Sequence, residues 1–256
     1  MPELPEAETI VRSLRPHLRG RAILKASFLS RRVTTDSPDS LIGRRIRDLR
    51  RYGKNILFEL DAGFLLVDLR MTGRLLLNGR PGPYTRAVLE LDRGTLLFDD
   101  VRQFGSIRRL EAEPGNAGPD PFEISEEAFR AGLRVRRTRV KTLLLDQTFL
   151  RGIGNIYADE ILFRAGIHPL SATARLSARR TAALHAAILE TLEEAISFRG
   201  SSVSDYVDGD GERGSFQLRH QVYRKQGEAC PRCGSAIRRI VLGQRGTHYC
   251  PCCQRR

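Results

Sequence analysis

Hydrophobic positions change period early in this chain. Over residues 5–18, Ile10, Val11, Leu14 and Leu18 recur at helical spacing, and Pro5, Glu6 and Glu8 suit the first turn of a helix. The pattern then shortens to alternation and brief apolar runs. Residues 21–29, 54–69, 73–78, 87–100 and 105–110 read as strands, and Asp61-Ala62-Gly63 and Asp92-Arg93-Gly94 split two of these runs into hairpins. So many short strands bury their apolar faces best as an antiparallel sandwich or barrel.

The stretch 111–121 holds three Pro and two Gly with almost no apolar content, and it marks a domain boundary. Beyond it the period becomes helical over 124–133, 141–150, 156–166 and 177–198, with Gly166 as a C′ glycine and Pro169 shortly after. Arg151-Gly152-Ile153-Gly154-Asn155 joins two of these helices. Asn155 stands where an N-cap belongs, and a helix N-terminus with free amides binds phosphate, although tight helical hairpins also use glycine for packing alone. Residues 199–217, rich in Gly, Ser and Asp, read as a mobile loop. The expected fold class is α+β in two domains: an N-terminal β-sandwich with a leading helix over 1–112, a linker over 113–121, and a helical domain over 122–220. A cysteine module over 221–256 closes the chain.

Charge narrows the function. Lys and Arg number 43 against 30 Asp and Glu, a net +13, with the excess spread along the whole chain. Basic side chains that neutralise phosphates release counterions, so this balance points to a nucleic-acid partner, against the plain alternative of solubility. No stretch approaches the roughly 18 apolar residues that span a bilayer. The first ten residues carry acids where a secretory signal has bases, so a cytoplasmic location is expected. Nothing reads as an oligomer interface, and a monomer is expected.

All five cysteines fall after residue 229. Cys230-Pro-Arg-Cys233 and Cys250-Pro-Cys-Cys253 are two C-x2-C pairs, the spacing of one closed tetrahedral zinc site. The site is structural, since four thiolates leave no position open for water. Cys252 is a fifth thiol, either a spare or a replacement for a neighbour. The segment between the pairs reads as a β-hairpin with Arg245 near its middle, a probe for a DNA backbone or an ordinary solvated arginine.

The N-terminus Met1-Pro2-Glu3-Leu4-Pro5-Glu6 admits two readings. One is a helix start with proline and acids. In the other, loss of Met1 leaves a secondary amine, substantially unprotonated near neutral pH, that can attack C1′ of a deoxyribose while adjacent carboxylates handle protons.

The conjunction of PELPEAET, GKNILFEL, LRMTG, DDVRQFG, GIGNIYADEILFRAGIHP and the closing RGTHYCPCC, in that order over the full chain, resembles the formamidopyrimidine-DNA glycosylases of bacteria. Endonuclease VIII shares the architecture, but PELPE with a long Gly/Ser loop is more similar to the purine-specific branch. The resemblance implies a glycosylase and abasic-site lyase of base excision repair, acting on damaged duplex DNA with the lesion flipped out. It implies a nucleoid-associated, bacterial-type protein with one structural Zn2+ and a helix-two-turn-helix domain. By the same resemblance Pro2 is the nucleophile, Glu3 protonates the sugar ring oxygen, Glu6 supports the site, and Lys54 binds phosphate. Asn155, Arg245 and Lys141 count as further DNA contacts. Met71, Arg102 and Phe104 match the trio that fills the space left by the flipped base, although a Met or Phe inside a strand pattern also reads as core. Ser201, Ser202 and Tyr206 are candidate contacts in the loop that closes on the lesion.

Two positions depart from the family pattern. Asp68 stands where a phosphate-gripping His is usual, with Arg70 or Arg74 as candidate compensation, and Pro83-Tyr84-Thr85-Arg86 replaces a loop that tends to carry His. Neither touches Pro2, Glu3 or Lys54. They leave open the same chemistry on oxidised pyrimidines or another adduct, and beyond that a non-catalytic zinc DNA-binding protein.

Overall fold

Helix α1 (Leu4–Leu18) forms where the first periodic stretch predicts it, and it buries Ile10, Val11, Leu14 and Leu18. The structure is a computed structural model that describes residues 2–115, 117–203 and 206–256. By its contacts the chain divides into two compact units, one built from residues 1–115 and 196–217, the other from 116–195 and 218–256.

The first unit is a β-sandwich. Strands β1 (Ile23–Phe28), β2 (Ile46–Tyr52), β3 (Asn55–Leu60) and β4 (Phe64–Asp68) are followed by β5 (Gly73–Leu77), β6 (Thr85–Leu91), β7 (Thr95–Asp100) and β8 (Ser106–Leu110). They make two antiparallel sheets, ordered β1-β6-β7-β5 and β2-β3-β4-β8. Phe58, Leu65, Val67, Leu75, Leu89, Leu96, Phe98 and Ile107 join the residues of α1 in one core.

Strand β2 was not expected from the hydrophobic pattern, because four of its seven residues are charged and its buried positions Ile46, Leu49 and Tyr52 fall three apart. A register shift between Ile46 and Asp48 accounts for the first interval, because a bulge re-aims the strand, whereas Tyr52 is buried on the opposite face from Leu49. Asp48 then pairs with Arg15 of α1 at 2.5 Å.

In the second unit α2 (Glu126–Val135) is capped by the Ser125 hydroxyl. Helix α3 (Val140–Leu144) is shorter than the apolar pattern of 141–150 implies. Asp146 ends it, because its carboxylate accepts the Thr148 N–H and hydroxyl at 2.9 and 2.7 Å and so offers the backbone a turn instead of a helix. Helix α4 (Asn155–Arg164) follows, closed by Gly166 at φ 66°. Helix α5 (Ala178–Ser197) comes next, then the hairpin β9 (Arg238–Leu242) and β10 (Arg245–Tyr249). Among the described residues no helix is long and apolar enough to cross a membrane.

Buried His220 sets a pH dependence for this unit. Burial, with Lys225 and Arg224 nearby, lowers its pKa to about 4. The folded state therefore holds it neutral, while the unfolded chain takes up its proton near the ordinary value of about 6.5. The neutral ring's contribution is complete above pH 6.5 and is lost as pH falls toward 4. The shift corresponds to about 2 kcal/mol lost between pH 7 and pH 5. Urea melts at both pH values should show this loss in the parent and not in His220→Gln; equal losses would remove His220 from the account.

Candidate active site and metal centre

In the first unit the N-terminal residues are packed, not frayed. Pro2, Glu3 and Glu6 are all buried. Glu3 is the N-cap of α1 and forms a capping box with Glu6, whose Oε2 accepts the Glu3 N–H at 2.8 Å. The other oxygen, Oε1, accepts the N–H of Ser201 at 2.7 Å. One buried carboxylate thus ties the residue next to Pro2 to the loop 199–217.

The described residues of the loop, 199–203 and 206–217, are anchored at several points, whereas its composition suggests mobility. Gly200 has φ 77°, and a Cβ there would lie 2.7 Å from Glu6 Oε1, so glycine permits the approach. Asp208 is fully buried, accepts the N–H groups of Asp210 and Glu212 at 3.0 Å, and pairs with Arg199. Gly209 donates to the Ser13 hydroxyl at 3.0 Å. Ser202 Oγ donates to Tyr206 O at 2.9 Å and accepts the Gly214 N–H at the same distance. Tyr206 lies in the sandwich core with its hydroxyl at the Glu6 carbonyl, so its ring is an anchor under the loop and not an exposed contact. Burial raises its pKa above the ordinary phenol value.

Met71, Arg102 and Phe104 come together on the surface. Met71 is 45% and Phe104 55% exposed, which removes the core-packing alternative. The Arg102 guanidinium sits 4.5 Å from the centre of the Phe104 ring, and its Nη1 lies 3.4 Å from Met71 Sδ. Fully buried Asp100 holds the turn that bears two of them. Its Oδ1 accepts from Thr72 Oγ1 at 2.5 Å and from Arg102 N at 3.1 Å, and its Oδ2 accepts the Gly105 N–H at 2.8 Å. Asp68 is not a bare acid: its oxygens take the Arg70 backbone N–H at 3.0 Å and the Arg70 Nε at 2.8 Å. Lys54 is half-buried in the two-residue turn between β2 and β3, where Gly53 has φ 64°.

In the second unit Lys141 takes another role, and the Asn155 amide is tied to the hairpin. Lys141 is fully buried, and its Nζ donates to Asp159 Oδ1 at 2.6 Å, Thr247 Oγ1 at 2.9 Å and Gly246 O at 3.3 Å. All three of its donors are satisfied internally, so it locks the hairpin to α3 and α4 and does not reach a phosphate. Asn155 is the first residue of α4; the N-cap is Gly154, because the Asn155 amide instead donates to Gly246 O at 3.0 Å. Arg245 is exposed beside the tight turn Gly243-Gln244, whose residues have φ 54° and 61°.

Further residues of this lock escaped the sequence reading. Asp159 Oδ2 accepts from His248 N and Nδ1 at 2.9 and 3.1 Å. Buried Glu160 accepts the consecutive N–H groups of Gln221, Val222 and Tyr223 at 2.8, 3.0 and 2.8 Å; burial pushes its pKa up while these donors favour the charged form. The available signal was two adjacent acids in an otherwise apolar helix.

The cysteines meet the requirement for zinc. The sulfurs of Cys230, Cys233, Cys250 and Cys253 all lie within 4.8 Å of one another, with Cys230–Cys253 at 3.9 Å and Cys233–Cys250 at 3.4 Å. A tetrahedral ion with bonds near 2.3 Å sets sulfur separations of about 3.8 Å. Cys252 is exposed and stands outside the cluster. Gln254 fastens this knuckle to the helical unit, accepting the Cys250 N–H at 2.8 Å and donating to Ile167 O at 2.9 Å. Among the described residues Phe163, Val222 and Ile237 alone join the cysteines in the module's core, too little to hold it without the metal, and zinc supplies on the order of 10 kcal/mol in such cases. Chelation should therefore melt residues 227–256 and lower DNA affinity together. Unchanged affinity in metal-stripped protein would contradict a structural zinc.

A sandwich with a buried N-terminal proline, a helical unit and a four-cysteine hairpin define a helix-two-turn-helix, zinc-finger architecture. Family models match it in three parts: the formamidopyrimidine-DNA glycosylase N-terminal domain over residues 1–107, its H2TH domain over 117–207, and the zinc finger found in FPG and IleRS over 227–256. The chain belongs to the formamidopyrimidine-DNA glycosylase family. It is 53% identical over 265 residues to formamidopyrimidine-DNA glycosylase from Solibacter usitatus, covering 100% of both chains. A Lactococcus lactis FPG mutant in complex with DNA containing Fapy-dG superposes with a TM-score of 0.89 at 34% identity, covering 100% of both. MutM in complex with DNA containing carbocyclic 8-oxo-G gives 0.90 at 34% identity, again over 100% of both.

Proposed function

We infer that this protein is a DNA glycosylase and abasic-site lyase of base excision repair that removes oxidised purines, 8-oxoguanine and formamidopyrimidines, from duplex DNA. The observation that carries the site assignment is the Glu6 carboxylate, which grips Glu3 and Ser201 at once and so holds the chain start and the loop 199–217 as one assembly.

With Met1 removed, the Pro2 nitrogen attacks C1′ of the flipped nucleotide, the bond from C1′ to the base breaks, and the base leaves with its electron pair and takes up the proton that the amine sheds. Glu3 delivers a proton to the ring oxygen, the ring opens, and the nitrogen lone pair forms a Schiff base at C1′. The cationic imine acidifies C2′, whose proton is lost as β-elimination expels the 3′ phosphate; the conjugated imine then loses the C4′ proton as δ-elimination expels the 5′ phosphate. Glu6 holds the backbone around the nucleophile, Lys54 neutralises a phosphate, and Asn155 and Arg245 grip the strand from the second unit. The mutual contact and exposure of Met71, Arg102 and Phe104 support their use as the wedge beside the vacated base. Ser201 and Ser202 remain candidate lesion contacts, and Tyr206 serves as the anchor beneath them. A monomeric, cytoplasmic protein associated with the nucleoid fits this role, with residues 1–112 as the catalytic domain, 113–121 as linker, 122–220 as the helical domain and 221–256 as the zinc finger.

The Asp68–Arg70 pair favours no second substrate by itself, since Arg70 neutralises the carboxylate that would otherwise repel a phosphate. Borohydride trapping on duplexes carrying 8-oxoguanine, dihydrouracil or an abasic site tests the reading. An adduct with the 8-oxoguanine duplex is expected. Adducts confined to the dihydrouracil and abasic duplexes would move the substrate to oxidised pyrimidines, and no adduct on any duplex would end the enzyme reading.

A further inference from the structure

Beside the tip of the β9–β10 hairpin lies an open groove of about 700 Å³ lined by Arg137, Arg139 and Arg175, by Thr138 and Thr142, and by Gly243 of the tip itself. Among the described residues no carboxylate lines it. The three arginines are exposed, and none of them has an ion pair or a side-chain hydrogen bond among the described residues. Other arginines of the same unit are engaged: Arg136 stacks on Phe149, Arg151 faces Asp120, and Arg164 pairs with Glu194. Leaving three like charges together without counter-charge costs free energy unless a polyanion supplies it.

The groove is also rigid. The segment at 137–140 is stitched to 171–173 by Thr173 N donating to Thr138 O and Val140 N donating to Ser171 O, both at 2.9 Å, and by a bridge between Arg139 and Ala172. The hairpin that forms its far wall is fixed by Lys141 Nζ at Gly246 O. Arg245, on the same tip, is the phosphate contact of the proposed function, so the groove continues that surface.

We propose that this groove is a second phosphodiester track, holding backbone phosphates of the duplex away from the lesion and reading neither base nor damage. It rests on the reading that Arg245 meets DNA. Guanidinium forks match phosphate oxygens bidentately, and among the described residues the lining includes no Asn, Gln, Asp or Glu to read adenine or cytosine.

The test is the salt dependence of binding by the zinc-loaded protein and by Arg137→Ala/Arg139→Ala/Arg175→Ala, on an abasic-analogue duplex and on the same duplex undamaged. Each lost phosphate contact lowers the slope of log K against log salt by about 0.9, so the triple variant should lose about 2 to 3 and Arg139→Ala alone about 1. Both duplexes should weaken by the same factor. Retained zinc and an unchanged melting temperature confirm that the variant folds; should it not fold, the Arg→Gln triple replaces it with the same expected slope. A slope equal to the parent's, or weakening confined to the damaged duplex, would overturn the track. The parent's borohydride adduct reports separately on the reading beneath: an adduct with an unchanged slope sinks the groove alone, and a parent without an adduct sinks the enzyme assignment.

Discussion

Lys141→Ala will destabilise the second unit by about 3–5 kcal/mol, the usual cost of removing one partner from a buried ion pair. The ammonium is fully buried with three acceptors around it, and its loss leaves the fully buried Asp159 carboxylate with His248 as its one partner among the described residues. For a chain of this size that corresponds to a fall in melting temperature on the order of 10 °C. The double variant Lys141→Met/Asp159→Leu should recover much of the loss, because an apolar pair of similar volume carries no stranded charge. A Lys141→Ala protein that melts with the parent would show that the lock is not structural, and would return Lys141 to the DNA contacts.

Glu3→Gln separates the two halves of the reaction. Base removal needs a proton at the ring oxygen, and loss of a positioned general acid slows such a step by about 10²–10⁴-fold. An abasic site opens to its aldehyde without that help, so trapping on a preformed abasic duplex should fall far less. Single-turnover excision of 8-oxoguanine beside abasic-site trapping measures both. Equal losses would assign Glu3 to general positioning, and unchanged excision would remove it from proton transfer.

The sequence pattern carried most of the architecture because local periodicity and local burial coincide over α1, α4, α5 and most of the strands. It failed at β2, where a bulge and a run of arginines hide the period, and at α3, which Asp146 stops early. Among site residues, the zinc ligands were legible because their chemistry is encoded in spacing. Lys141 was misread because a Lys near a glycine turn looks like a phosphate contact, whereas its ammonium is buried against Asp159 and Gly246; for Asn155 only the N-cap placement was wrong, since Gly154 is the N-cap. Asp100, Asp159, Glu160 and Gln254 were missed for the same reason. Buried polar residues that take backbone N–H groups from distant segments leave no periodic trace, and only the fold reveals their partners. The loop 199–217 shows the converse: a composition that suggests mobility is held by Glu6, Asp208 and Tyr206.

The central claim is that the amine of Pro2 forms the covalent bond to the damaged nucleotide. Borohydride-reduced adduct on an 8-oxoguanine duplex can be digested with protease and nuclease and the modified peptide sequenced by mass spectrometry. The account predicts that the sugar remnant sits on the nitrogen of Pro2, in a peptide beginning Pro2-Glu3-Leu4-Pro5. A remnant on a lysine, Lys54 or any other, or an adduct formed by protein that retains Met1, would contradict it.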